Sequence, residues 1–365
     1  MIIYATIVLG FLVFIHEGGH YLAARAFGVR VSEFMIGLPG PSIGFRRGET
    51  RFGVTCVPLG GYARVCGMEP GEMAPHLKEV FNYITSAGTA AIEDVASACA
   101  ITEEEAEAAL EELVEWGTIV APLRHDEFNT YRVAAYQPTK RTCRKAEKQG
   151  KPLPQAHELG APHEGINLEE FFDAEYHRQY RSLSFWKRSV ILLAGIAMNL
   201  VFAILAFVLI YSVIGVDVQD NATGAVQHLV VDPLRSIQAG FICIGMVIQA
   251  VVDLFNPATA GETISNSASI VGIAVLSKSA AEAGFVNFLF FTAMISVSLG
   301  IFNLVPIPPL DGGRFLVEII QKLSKRLVSI RVMNYISFAG IALFMGFFII
   351  MLNQDIQRFV FGIWS

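Results

Sequence analysis

The sequence is poor in charge: Lys, Arg, Asp and Glu make up only 16% of its 365 residues, against about 25% in soluble globular chains. That shortage excludes an ordinary soluble domain, and a hydrophobic content of 53% with a mean hydropathy of +0.49 points the same way. Cysteine is scarce as well. Cys56, Cys66, Cys99, Cys143 and Cys243 form an odd, widely spaced set with no CxxC pair. This excludes a disulfide framework and a thiolate zinc site, leaving reduced or buried thiols. The histidines at 76, 125, 157, 163, 177 and 228 lack ligand spacing and are given no metal role.

What the chain has instead is long apolar runs. Met1 to Phe27, Trp186–Ile214, Phe285–Ile307 and Tyr335–Leu352 are each close to the roughly 20 apolar residues that cross a bilayer. The first run has no basic segment ahead of it and is interrupted by polar residues, so it reads as a retained span, not a cleaved signal. A fifth run, Ala239–Phe255, is shorter, is broken by Gln249 and ends on Asp253 and Pro257. It reads as an amphipathic helix lying in the interface.

Basic residues follow the first span (Arg25, Arg30, Arg46, Arg47) and precede or open the second (Arg178, Arg181, Lys187, Arg188). More lie between the third and fourth (Arg314, Lys322, Lys325, Arg326, Arg331), while the segment between the second and third has only Arg235 and Lys278. The positive-inside rule then puts the first and third connections in the cytoplasm and both termini outside.

Within the first span lies His16-Glu17-Gly18-Gly19-His20. On a helix, positions i and i+4 share one face, so both imidazoles can reach a single Zn²⁺ and Glu17 sits beside them. Such groups are costly in lipid and functional by default. Gly18 and Gly19 give up helix propensity but let another backbone or a substrate come close. A catalytic zinc needs a third protein ligand and an open position. Asn303-Leu-Val-Pro-Ile-Pro-Pro-Leu-Asp311-Gly-Gly313 at the end of the third span offers one. Three prolines cannot sit in a continuous helix, and broken backbone at membrane depth is tolerated only where it is buried or lines a watery cavity. Alone, this stretch would read as a turn at the interface; paired with the two histidines, it supplies Asp311.

These two motifs resemble those of the site-2 protease family of intramembrane zinc metalloproteases, in particular its bacterial regulator-of-sigma-E protease branch. Ala194-Gly195-Ile-Ala-Met-Asn199 is similar to the family's AGPxxN, with Ile196 in place of proline, and Gly60-Gly61-Tyr62 resembles its membrane-dipping β-hairpin. The resemblance implies His16, His20 and Asp311 as zinc ligands, Glu17 as general base and Asn303 as a substrate contact; Asn199 reads as a packing residue. It also implies proteolysis of single-pass membrane proteins, such as an anti-sigma factor or a signal-peptide remnant, with the hairpin at 29–65 holding the extended substrate by β-augmentation. A metal transporter or sensor, or an inactive scaffold, is the competing reading. The chain lacks His-rich loops and keeps all three ligands and the base, which argues against both.

Two regions depart from that family. The segment 215–284, where a PDZ domain is usual, is only about 70 residues long, and no PDZ domain is expected. An insertion at about 68–180 is large instead. His76–Ala87, Ile92–Ala100 and Thr102–Glu115 read as helices, with Thr102 as N-cap and Glu105 as its capping-box partner. Ile119–Leu123 and Thr130–Ala135 read as strands. This order resembles a winged-helix domain, but the third helix carries Glu103, Glu104, Glu105, Glu107, Glu111 and Glu112, which repel phosphate. A regulatory protein partner is therefore expected and nucleic acid is not.

Lys140–Gln155 reads as a basic linker and Leu168–Tyr180 as an amphipathic helix leading into the second span. The expected architecture is a polytopic α-helical membrane protein of a bacterial plasma membrane. It has four transmembrane helices, a membrane-associated β-hairpin region and a small α+β, winged-helix-like cytoplasmic insertion. The expected segments are 1–28, first span; 29–67, hairpin region; 68–136, insertion; 137–180, linker and helix; 181–214, second span; 215–284, extracytoplasmic segment; 285–313, third span; 314–334, loop; and 335–365, fourth span and tail.

Overall fold

The computed structural model describes all residues except 58–59, 69–70, 123–125, 127–128, 137, 139, 149–155, 220–225, 360 and 362–365. The unbroken apolar run at the start of the chain forms α1 (Ile2–Ala26). Four strands follow: β1 (Val31–Ile36), β2 (Ser42–Arg47), β3 (Thr50–Thr55) and β4 (Gly61–Val65). The expected hairpin is in fact a four-stranded mixed sheet in the order β2-β3-β1-β4, with β1 parallel to β3 and antiparallel to β4. Alternation places Phe34, Phe45 and Phe52 on one face, where Phe34 and Phe52 meet Tyr21 of α1 and Phe34 also meets Phe14. Ile43 and Phe45 are 87% and 64% exposed, a bare apolar patch suited to lipid. The sheet is thus hung on α1 by its aromatic face.

The next unit contains α2 (Leu77–Ala87), β5 (Thr89–Ala91), α3 (Ile92–Cys99), α4 (Glu103–Glu115), β6 (Ile119–Val120) and β7 (Thr130–Val133). Its sheet order is β5-β7-β6. Thr102 and Glu105 close a capping box at the start of α4. β5 is too short, at three residues, to carry a visible alternation in sequence. Leu123, the expected end of one strand, lies outside the described residues.

A basic helix, α5 (Lys140–Lys148), occupies part of the expected linker, whose remainder with Pro152 and Pro154 is not among the described residues. α6 (Leu168–Tyr176) lays Phe171, Phe172 and Tyr176 on a core of Phe81, Leu110, Leu113 and Trp116. The amphipathic face expected to lead toward the second span therefore closes the insertion.

The second apolar run gives α7 (Phe185–Val208), extended by a π-helical turn over Leu209–Ile214. A hairpin of β8 (Val216–Gln219) and β9 (Val226–Leu229) leads to α8 (Pro233–Leu254), α9 (Ala260–Asn266), α10 (Ile270–Glu282), α11 (Phe285–Asn303), α12 (Asp311–Ser324) and α13 (Ile330–Phe359). Among the described residues of 215–284, β8 and β9 are the only strands. Among the described residues, five helices are long and apolar enough to cross a membrane, where four spans were expected: α1, α7, α8, α11 and α13.

The extra one corresponds to the expected interfacial helix. It begins earlier, at Pro233, with Asp232 as its cap. It then packs lengthwise against α7 and α11 through Cys243, Val247 and Val251, beside Phe207, Ala293 and Val297. The polar residues of the break bond each other along the helix, Gln249 Nε2 donating to Asp253 Oδ1 at 2.9 Å. At the far end, buried Asp355 of α13 accepts the N–H groups of Ser269 and Gly272 at the start of α10.

Candidate metal centre

α1 and α7 cross where neither has a side chain. A Cβ on Gly19 would lie 2.4 Å from Ala194 O, and one on Gly195 would lie 2.4 Å from His20 Nε2 and 2.8 Å from His16 Nε2. Backbone therefore forms one wall of the site, and Gly195 makes the room for the imidazoles. Gly18 meets nothing within 4 Å. The expectation that the glycines admit a close backbone holds for Gly19.

The third element arrives by a broken helix. α11 stops at Asn303 and α12 starts at Asp311, with the prolines between them. Gly312 and Gly313 are needed for the turn back, because Cβ atoms there would lie 2.1 Å from Leu304 O and 2.2 Å from Pro308 N. Asp311 Oδ2 consequently sits 3.0 Å from His16 Nε2 and 3.1 Å from His20 Nε2, with the two Nε2 atoms 3.2 Å apart. Among the described residues this is the one cluster of three or more His, Cys, Asp or Glu side chains whose donor atoms converge to hold an ion. Both histidines are buried.

The donor set fits a divalent cation. His20 Nδ1 donates to Ile191 O at 2.7 Å, which leaves Nε2 as a lone pair aimed at Asp311. The carboxamide of fully buried Asn199 lies 3.2 Å from His16 Nδ1, and its Oδ1 has no other partner. Turning that amide so its oxygen accepts from Nδ1–H satisfies both groups and fixes the same tautomer at His16. Two imidazole lone pairs and a carboxylate then face one point, an arrangement suited to a tetrahedral zinc with one place open. Asn199, expected as a packing residue, is packed in the helix bundle and also meets His16 Nδ1; its place one turn beyond Gly195 on the same helix was the available signal.

Glu17 lies on the same turn but points elsewhere, its Oε2 accepting the Ala63 N–H of β4 at 2.8 Å. Asn303, expected to contact substrate, donates through Nδ2 to Leu299 O of its own helix at 2.9 Å and is not in the cluster.

Beyond the sheet, the insertion is joined to the site's scaffold by buried charges. Arg30, which precedes β1, pairs with Glu49 and Glu175 and donates to Trp116 O. Arg178 also bonds Glu49 and Glu175, and Arg181 pairs with Glu112. Burial would raise the Glu49 carboxyl, but Arg30, Arg178 and Arg25 outweigh it and hold it below the usual Glu range. Nearby Cys66 is pushed up to about 11 by burial, an inert thiol of the kind expected.

The sequence profile of peptidase family M50 matches residues 4–347, a span that holds α1, α7, α11 and every residue of the cluster. The chain belongs to peptidase family M50. Its similarity to curated relatives runs end to end. The zinc metalloprotease RasP of Oceanobacillus iheyensis is 26% identical, over 96% of this chain and 97% of that protein. The regulator of sigma-W protease RasP of Bacillus subtilis is 26% identical, over 96% and 97%. The zinc metalloprotease RasP of Geobacillus kaustophilus is 23% identical, over 98% of each. These three alignments therefore cover nearly the whole of this M50 chain and of each relative.

Proposed function

We propose that the chain is a zinc endopeptidase that cuts single-pass membrane proteins within the bilayer. The observation carrying this reading is the convergence of His16, His20 and Asp311, with both Nδ1 atoms already engaged, at the end of a broken apolar helix. These three residues would hold the metal. Zinc, when bound, polarises a scissile carbonyl and makes water a nucleophile near neutral pH. Glu17 takes the proton of the attacking water and delivers it to the leaving amine. The regulator of sigma-W named among the relatives favours an anti-sigma factor type of substrate; a signal-peptide remnant has the same chemistry.

A substrate helix must unwind before its carbonyls can be attacked, and a sheet edge can hold the unwound strand. β4 is that edge. Of the 29–65 region, strand β3 with Val54 is interior to the sheet, so the docking edge is at Gly61 and Ala63 of β4. The basic residues near the span ends support a bacterial plasma-membrane location with both termini outside and the site opening to the cytoplasm. In this arrangement α1, α7, α11 and α13 cross, and α8 enters beside α7 from the outer side. The helix and strand order of 77–133 favours a winged-helix-like regulatory module. The acidic face of α4 favours a protein partner there. Asn303 keeps its carboxamide oxygen for a substrate backbone.

Glu17→Gln tests the reading. Zinc content stays at one per chain, while cleavage of a reconstituted membrane substrate falls by about 10²–10⁴-fold. Cleavage at the wild-type rate would remove Glu17 from the mechanism.

A further inference from the structure

The contact between Glu17 and β4 does more than hold a side chain. Gly37 N–H donates to Gly60 O, and β1 pairs with β4 in the register Met35↔Tyr62 and Phe34↔Ala63. An antiparallel ladder alternates bonded and non-bonded positions. Gly60, Tyr62 and Arg64 therefore face β1, and Gly61 and Ala63 turn their N–H and C=O groups outward. β4 is the last strand of the sheet, so these are the groups an added strand would use. The Ala63 N–H is already taken: it donates to Glu17 Oε2 at 2.8 Å. A Cβ on Gly61 would lie 2.5 Å from Val13 Cγ1 and 3.5 Å from Glu17 Cγ, so the strand is pressed against α1 at this turn.

We infer that Glu17 is parked on the substrate-binding edge in the resting enzyme, and that an arriving substrate strand releases it. The inference rests on the strand-addition reading given above. A substrate carbonyl takes the Ala63 N–H, and the displaced carboxylate swings to the attacking water. Exchanging the carboxylate for a carbonyl on the same N–H gives up a charge-assisted bond, so the strand is held by the further bonds it makes at Ala63 C=O and at Gly61, while the released carboxylate gains the attacking water. The base is thereby assembled only when the scissile segment is extended and docked. Intact helices and short adventitious peptides meet a site whose base faces away. Ala63 acts here as a positioning residue through its backbone.

Isotope labelling can follow that amide in the zinc-loaded, full-length protein in lipid nanodiscs. Tyrosine labelled at the ¹³C carbonyl with ¹⁵N-alanine selects Tyr-Ala bonds, which occur only at Ala5 and Ala63; Ala5 is the internal control. Glu17→Gln is nearly isosteric and should move the Ala63 amide upfield without moving Ala5, because a charge-assisted bond is lost. A blocked, extended apolar peptide with a reduced scissile amide and a spin label is then added. Broadening of Ala63 but not Ala5 reports docking on β4, and once the label is reduced to its diamagnetic form the wild-type and Glu17→Gln shifts of the docked state should coincide.

If the Ala63 shift ignores Glu17→Gln without peptide, the parked state does not exist. If the peptide docks and the difference persists, the release fails and strand addition stands. If the peptide never broadens Ala63, strand addition itself fails.

Discussion

The metal cluster and the insertion junction both bury charged and polar groups, and they do so in opposite ways. At the junction every carboxylate meets a guanidinium: Glu49 and Glu175 face Arg30 and Arg178, and Glu112 faces Arg181. That network closes on itself. At the cluster, two imidazoles and the Asp311 carboxylate converge with no Lys or Arg among them. Buried acceptors facing one another need a positive charge between them, a proton or a metal ion, so this region takes its counter-charge from outside the chain. One arrangement is a weld and the other a socket, and the inventory of partners distinguishes them.

Removing a piece from each should therefore give different outcomes. Asp311→Ala should lose zinc and cleavage together, a larger loss than the 10–100-fold typical of residues that only orient a ligand. Its effect on thermal unfolding should be confined to what zinc contributed. If metal analysis shows full occupancy in Asp311→Ala, the socket is drawn wrongly. Asn199→Ala should come next, lowering zinc affinity by about 10–100-fold through the freed His16 ring, measured by competition with a chelating dye.

Arg30→Met should leave zinc bound but take the buried guanidinium from Glu49 and Glu175, leaving them to the partly exposed Arg178, and free the Trp116 carbonyl. Losing one partner of a buried pair costs about 3–5 kcal/mol, visible as protease cutting between 68 and 180. Equal zinc loss in this variant would erase the contrast.

The smallest effect is set by pH. The Glu49 carboxyl is held below its ordinary value near 4.5 in the folded protein. The stability it contributes is complete above that value and is lost as pH falls through the lowered one. Hydrogen-exchange protection factors in α6 should fall on acidification below about 4.5 in the wild type, and less so in Glu49→Gln. An unchanged profile in that variant would take Glu49 out of the weld.

The socket was readable because membrane depth makes polar residues conspicuous: His16, Glu17, His20 and Asp311 stand out among apolar neighbours, and their spacing carries the chemistry. The helices of the insertion were readable for a different reason, since Thr102 and Glu105 mark a start and Trp116-Gly117 an end. The contact of Asn199 with His16 was not legible, because an amide in an apolar helix looks the same whether it packs or meets a ring nitrogen. The sheet was seen as a hairpin, because strand alternation shows which face is buried and not that β1 would pair in parallel with β3. α8 was read as an amphipathic helix in the interface, because its packing on Phe207, Ala293 and Val297 is made by partners distant in sequence. In each missed case the deciding fact is a partner distant in sequence or supplied by folding.

α6 has a consequence for how this protein could have arisen and how it can be edited. Phe171, Phe172 and Tyr176 complete the hydrophobic interior of the inserted unit. The next residues run through Tyr180 into α7, whose Ile191 carbonyl steers His20. The insertion therefore has no clean seam. Excising 68–136 as a cassette would leave an aromatic face bare on the very strut that aligns a ligand. The unit is spliced into the enzyme's frame, and the shortest neutral deletion has to extend through α6.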